Sequence, residues 1–222
     1  MKTPPHTCHC CERNPLHCIV PPYIVEALLE HKDPAIRRIA IDTLTAGAAF
    51  RAVREAMPLP SVSVLAAIVG GKDRAIYDAH HTNGLPGTLV RSEGGPVTGD
   101  AAADEAYNGS GDTYDFYSKI HGRNSLDNHG LKLTSTVHVG NNFNNAFWNG
   151  AQMAYGDGDG VIFRRFTKSL DVIGHELTHG VVSYTANLVY HNEPGAVNEH
   201  FADVFGTLVK QWKKKQTVNS AN

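Results

Sequence analysis

From residue 19 onward the chain has no cysteine: its four thiols, Cys8, Cys10, Cys11 and Cys18, crowd the first 18 of 222 residues. A fold stapled throughout by disulfides is thereby excluded. No run of about 18 apolar residues occurs, so nothing reads as a membrane span. Net charge is scarce too, a formal −2 with a pI of about 6.7, and a whole-chain attraction to nucleic acid is not expected. Residues 1–18 lack the apolar centre of a secretory signal, and Pro4, Pro5 and Pro15 would break one.

What is present is a globular balance, 41% hydrophobic and 19% charged, in a length that allows one large domain or one domain with an appendage. Histidine is plentiful at 13 residues, and 21 Gly with 11 Pro point to many turns. Residues 1–20 are Cys/His-rich and irregular. Beyond them Ile24, Val25, Leu28 and Leu29 fall on one helical face. Asp33–Pro34 reads as an N-cap followed by proline at the first helical position, with Ile36, Ile39, Ala40, Thr43 and Leu44 as the next apolar stripe. A further Ala/Arg-rich segment, Ala48–Ala56, ends at Met57–Pro58–Leu59–Pro60. Residues 1–60 therefore form a small helical unit, and 61–75 a linker.

After the linker, residues 80–100 suit hairpins and loops, and Ala101–His121 looks helical despite Gly109 and Gly111. Leu131–Val139 alternates as a strand does, and a second strand-and-turn region follows to Gly160. Two helices, about Lys168–Ala186 and Pro194–Lys215, close the chain. The class predicted is α+β: an antiparallel-rich sheet region with two long helices, preceded by the small helical unit.

The chemistry lies in those last helices. In His175–Glu176–Leu177–Thr178–His179 the two histidines stand at i and i+4, so both rings leave one helix face about a turn apart. That spacing suits two nitrogen ligands of zinc, with Glu176 placed to act on a water that the metal polarises. A bare match of this kind also fits two ordinary surface histidines. The following helix argues against that reading, because Glu199 and Asp203 share a face at i and i+4. One carboxylate can bind the metal while the other accepts a hydrogen bond from a ligating imidazole.

Taken with Asn198–Glu199, Asp203, the NNAFWNG stretch and YGDGDG, the motif closely resembles the thermolysin-like neutral metalloproteases, from about Ala101 to Val209 and more loosely from about residue 75. The short N-terminal unit with its Pro21–Pro22–Tyr23 element resembles the protealysin subgroup, whose propeptide is small. The resemblance implies a zinc endopeptidase precursor that cuts extended peptides before apolar residues. His175, His179 and Glu199 would hold one zinc, Glu176 would be the general base, and Asp203 would hold His175 from behind. Asn145 and Ala146 would bind the substrate backbone, Phe147 and Val172 would border the pocket for the residue after the cut, and Tyr190 would lie near the cleft. Asp171 matches a calcium ligand. Lys210, however, stands where calcium-rich members carry a glutamate, so calcium is not expected to bind as in thermolysin. Asp157 and Asp159 read as a tight turn rather than a calcium loop.

The resemblance further implies that residues 1–60 are a propeptide and intramolecular inhibitor, with cleavage in the 61–75 linker, and that 76–222 is the N-terminal catalytic domain. The family's second, helical domain would then follow residue 222 and supply the oxyanion-stabilising histidine, leaving these residues alone with little turnover. Secretion is implied by the family, while the absence of a visible signal leaves a cytoplasmic precursor open. The four cysteines admit three readings: a leader without fixed partners, a structural metal site, or a thiolate that reaches the zinc. A rival to the enzyme is a non-catalytic zinc-binding half-protein that serves as a folding or interaction unit.

Overall fold

A computed structural model describes residues 19–56, 71–189, 192–217 and 219–220. The four cysteines, residues 61–70 of the linker and Tyr190 lie outside the described residues. Five helices and five strands are labelled here in chain order. They are α1 (Pro22–Ala27), α2 (Pro34–Ala56), β1 (Arg74–Asp78), β2 (Thr88–Ser92), α3 (Ala101–His121), β3 (Leu133–Val137), β4 (Ala146–Trp148), β5 (Met153–Tyr155), α4 (Leu170–Ser183) and α5 (Asn192–Lys214).

Asp33 starts α2 as its sequence suggests, the carboxylate accepting from Ala35 N at 2.8 Å. The two segments read separately at 34–44 and 48–56 form one continuous helix, because the alanines around Gly47 favour propagation over a break. α3 begins with Asp100 accepting from Ala103 N and ends at Gly122 in the left-handed region (φ 62°). Gly109 does not interrupt it. Ile173 of α4 packs where a β-carbon would stand, so the missing side chain is a contact surface.

The sheet runs β2-β1-β3-β5-β4. The α+β class holds, but the sheet is mixed rather than antiparallel-rich: β1–β3 and β3–β5 are parallel, and only the outer pairs are antiparallel. The β1–β2 hairpin returns the chain to the starting end of β1, and the connection through α3 delivers it to β3 on the other side of β1, parallel to it. β1 starts at Arg74, two residues ahead of the expected boundary at 76.

One main core joins the sheet to the helices: Ile76, Leu133, Trp148, Met153, Ile173 and Leu177 are buried together with Val20 and Val25 of the N-terminal unit. A second apolar cluster lies under α2, where Phe50 meets Phe147 and Phe143 at ring distances of 4.5 and 6.0 Å. Among the described residues no helix is long and apolar enough to cross a membrane.

Candidate active site

α4 and α5 touch along a glycine seam. A β-carbon on Gly206 would stand 2.5 Å from Asp171 O and 2.7 Å from His175 N, and one on Gly174 would stand 3.1 Å from Gly206 Cα. Only glycine lets the two backbones approach so closely, and that approach brings the carboxylates of α5 to the histidines of α4.

Across the seam, His175 Nε2 and His179 Nε2 are 3.1 Å apart, and Glu199 Oε2 lies 3.4 and 3.6 Å from them. Two atoms each about 2.0–2.1 Å from a tetrahedral zinc would stand about 3.3–3.4 Å apart, so the three atoms fit the edges of one coordination sphere. Both imidazoles are braced on their other nitrogen: His175 Nδ1 meets Asp203 Oδ1 at 2.9 Å, and His179 Nδ1 meets Asn198 Oδ1 at 2.9 Å. Such bracing fixes ring orientation and leaves Nε2 turned toward the common centre. Sequence reasoning gave Asn198 no role beyond standing next to Glu199. A buried amide one residue before a metal-facing carboxylate was the available signal, but only the helix pairing says which ring it meets.

Charge makes the centre a well for a cation. Burial works against a charged His175, yet hydrogen bonds to Asp203 and Glu199 and the charges of Glu176 and Glu199 prevail and hold the imidazole up to about 10. Asp203 is held low, first by its hydrogen bond with His175. Two imidazoles surrounded by three carboxylates favour positive charge between them, which is what a divalent ion supplies.

Glu176 is fully buried, and its Oε2 accepts from Trp148 N of β4 at 2.8 Å. The edge strand thus positions this carboxylate, a link that no local pattern reveals. Just before the same strand the Asn145 amide holds Val20 at both ends: Val20 N donates to Oδ1 at 3.0 Å, and Nδ2 donates to Val20 O at 2.9 Å. Ile19 N donates to Ala146 O at 3.2 Å. Residues 19–20 therefore occupy the two groups expected to receive a peptide substrate, the Asn145 side chain and the Ala146 carbonyl.

Phe147 belongs to the cluster under α2, while Val172 packs against the main core. Ala146 and Trp148 join the main core, and Phe147 between them points to the other side of β4, as strand alternation requires. Asp171 lies in the first turn of α4 and accepts from Lys210 Nζ at 2.8 Å, a cation from the chain itself on that carboxylate. Asp159 Oδ1 receives the N–H groups of Val161, Ile162 and Phe163, which is a turn-capping arrangement.

Comparison with known proteins shows the family. Residues 69–183 match the thermolysin metallopeptidase catalytic domain, and residues 186–222 match the thermolysin metallopeptidase alpha-helical domain. The second match begins between α4 and α5, so Glu199 and Asp203 fall within it. An extracellular metalloprotease of Pectobacterium carotovorum subsp. carotovorum is 46% identical over 208 residues, covering 94% of this chain and 59% of its own length. Protease PrtS of Photorhabdus sp. (strain Az29) is 42% identical over 213 residues, covering 92% and 56%. The solved precursor of protealysin, a metalloproteinase from Serratia proteamaculans, superposes with a TM-score of 0.80 at 45% identity, covering 93% of this chain and 59% of that one. The chain thus spans a little over half the length of these relatives.

Proposed function

The chain belongs to the thermolysin metallopeptidase family, and from that premise we propose that it is the N-terminal part of a zinc endopeptidase precursor, closed by its own propeptide. The observation that carries this reading is the convergence of His175 Nε2, His179 Nε2 and Glu199 Oε2 beside the buried carboxylate of Glu176. His175, His179 and Glu199 hold the metal. When bound, zinc supplies Lewis acidity to a water and to the scissile carbonyl.

The remaining steps belong to the chain's own groups. Glu176, aimed by the Trp148 N–H, takes the proton of the attacking water and passes it to the departing amine nitrogen. Asp203 and Asn198 keep the two imidazoles in register. Asn145 and Ala146 hold the substrate as an added strand, and Phe147 and Val172 border the site of the apolar residue after the cut. Tyr190 retains its assignment near the cleft on resemblance alone. At Asp171 the Lys210 ammonium takes the place of a calcium charge.

Residues 1–60 act as the inhibitor. Ile19 and Val20 use the Asn145 and Ala146 hydrogen bonds that a substrate needs, and Val25 anchors α1 in the core. Substrate entry therefore requires this segment to leave, after cleavage in the 61–75 linker. The extracellular description of the Pectobacterium relative supports an exported enzyme.

The test is cleavage of an internally quenched peptide with an apolar residue after the cut, after release of the propeptide. Activity is expected to require zinc and to vanish in Glu176→Ala with zinc content unchanged. Undiminished activity in Glu176→Ala contradicts the assignment. Turnover by these 222 residues alone is expected to be slow, and zinc binding with none at all supports a non-catalytic half-protein instead.

A further inference from the structure

A second group of two histidines and one carboxylate lies apart from the centre on α4 and α5. His81, His138 and Asp157 offer one ligand atom each, all within 4.8 Å of one another. Topology assembles them. β1, β3 and β5 are adjacent parallel strands, and each residue follows the carboxyl end of one of them. Ligands of open α/β sheets gather at that same edge, because parallel strands deliver their following loops side by side.

The distances suit an ion. Asp157 Oδ2 lies 2.8 Å from His138 Nδ1 and 3.4 Å from His81 Nδ1. Neighbouring ligands about 2.05 Å from a six- or four-coordinate ion stand about 2.9 or 3.3 Å apart. The other nitrogen of His138, Nε2, faces Asp100 Oδ1 at 3.3 Å. A carboxylate behind a ligating imidazole is the arrangement that orients such rings and raises their basicity, and here it repeats the Asp203–His175 pairing.

The backbone supports the same reading. His81 and His138 both sit in the left-handed region, at φ 59° and 54°, and His81 N donates to His138 O at 2.8 Å. Non-glycine residues hold such conformations at a cost, and two at one cluster mark a locally enforced geometry. His81 also lines a groove of about 380 Å³ whose opposite wall includes Asp42, Thr43 and Ala46 of α2.

We propose that His81, His138 and Asp157 form a second site for a divalent ion of the zinc class, with its remaining positions left to water. Two imidazoles and one carboxylate select zinc, copper(II) or nickel over calcium and magnesium, which prefer oxygen donors throughout. The ion clasps three strand ends together at the mouth of the groove beneath α2. It shares no residue with the centre on α4 and α5.

Equilibrium dialysis of the full 222-residue chain against zinc ions tests this, comparing the unaltered protein with His81→Ala, His81→Gln and His80→Ala. Any zinc on the N-terminal cysteines is common to all four proteins and cancels. The His81 side chain is 58% exposed, so its removal leaves the core untouched, and the glutamine variant preserves a polar side chain. Both His81 variants are expected to bind one zinc fewer than the unaltered chain, while His80→Ala binds the full complement. Equal binding by the His81 variants and the unaltered chain overturns the proposal, as does the same loss in His80→Ala.

Discussion

Two groups of His, His and carboxylate differ in how they are built. At the α4–α5 seam, two ligands come from one helix turn, the third from a helix pressed against it, and the histidines are buried with a brace behind each ring. At the sheet edge, one ligand comes from each of three strand ends, one ring is braced, and His81 is exposed. Burial and double bracing remove the orientational freedom that a metal would otherwise have to freeze out. The seam is therefore the tight site, and the sheet-edge group the weak one.

Removing a seam ligand has the largest consequence. His179→Ala is expected to lose the seam zinc outright while the sheet-edge zinc stays, as metal analysis after dialysis will show. Stripping zinc from the unaltered chain is expected to cost about 4 kcal/mol of stability relative to protein in a thousandfold excess over Kd. Gly206→Ala comes next. Its new methyl meets Asp171 O and His175 N, and the strain of forcing the helices apart is about 1–3 kcal/mol, measurable by denaturant unfolding. Zinc affinity at the seam is expected to fall with it, and the sheet-edge group to be indifferent. Equal effects on both groups would erase the contrast.

The braces give the finer comparison. Asp203→Ala is expected to weaken seam zinc by about 10–100-fold with all three ligands intact. The matching operation at the sheet edge is Asp100→Asn, which keeps an N-cap for α3 while removing the charge behind His138. Its expected effect on zinc there is the smallest of the four, about tenfold or less, because only one of the two rings is braced. Titrations of both variants against zinc rank them directly.

The same contrast explains what could be read before any coordinates. The seam histidines are legible because helical spacing is local: residues four apart share a face in any helix. Glu199 and Asp203 follow by the same rule within α5. Which ring each α5 residue meets is set by the glycine seam, so Asn198 acquired its role only from the packing. Which face of β4 Phe147 occupies was not legible, because a three-residue strand carries too little alternation to show which side meets α4. Gly109, which reads as a break in α3, is a socket for Ile173. His81, His138 and Asp157 are far apart in the chain, and only the strand order β1-β3-β5 makes them neighbours.

The pairing of Ile19 and Val20 with Asn145 and Ala146 belongs to that second kind of information as well. The Pro21–Pro22–Tyr23 element stands at the start of α1, yet the contact with Asn145 and Ala146 is made by Ile19 and Val20 just before it. Ile19 and Val20 thus sit on the groups proposed to receive substrate, beside the strand whose Trp148 N–H aims Glu176.

X-ray absorption at the zinc edge, on the chain loaded with a single equivalent of zinc, bears most directly on the central claim. The account predicts only nitrogen and oxygen neighbours at about 2.0–2.1 Å, with the outer scattering of two imidazoles, and loss of that signature in His179→Ala. Sulfur neighbours at about 2.3 Å would place the metal on the N-terminal cysteines and contradict it.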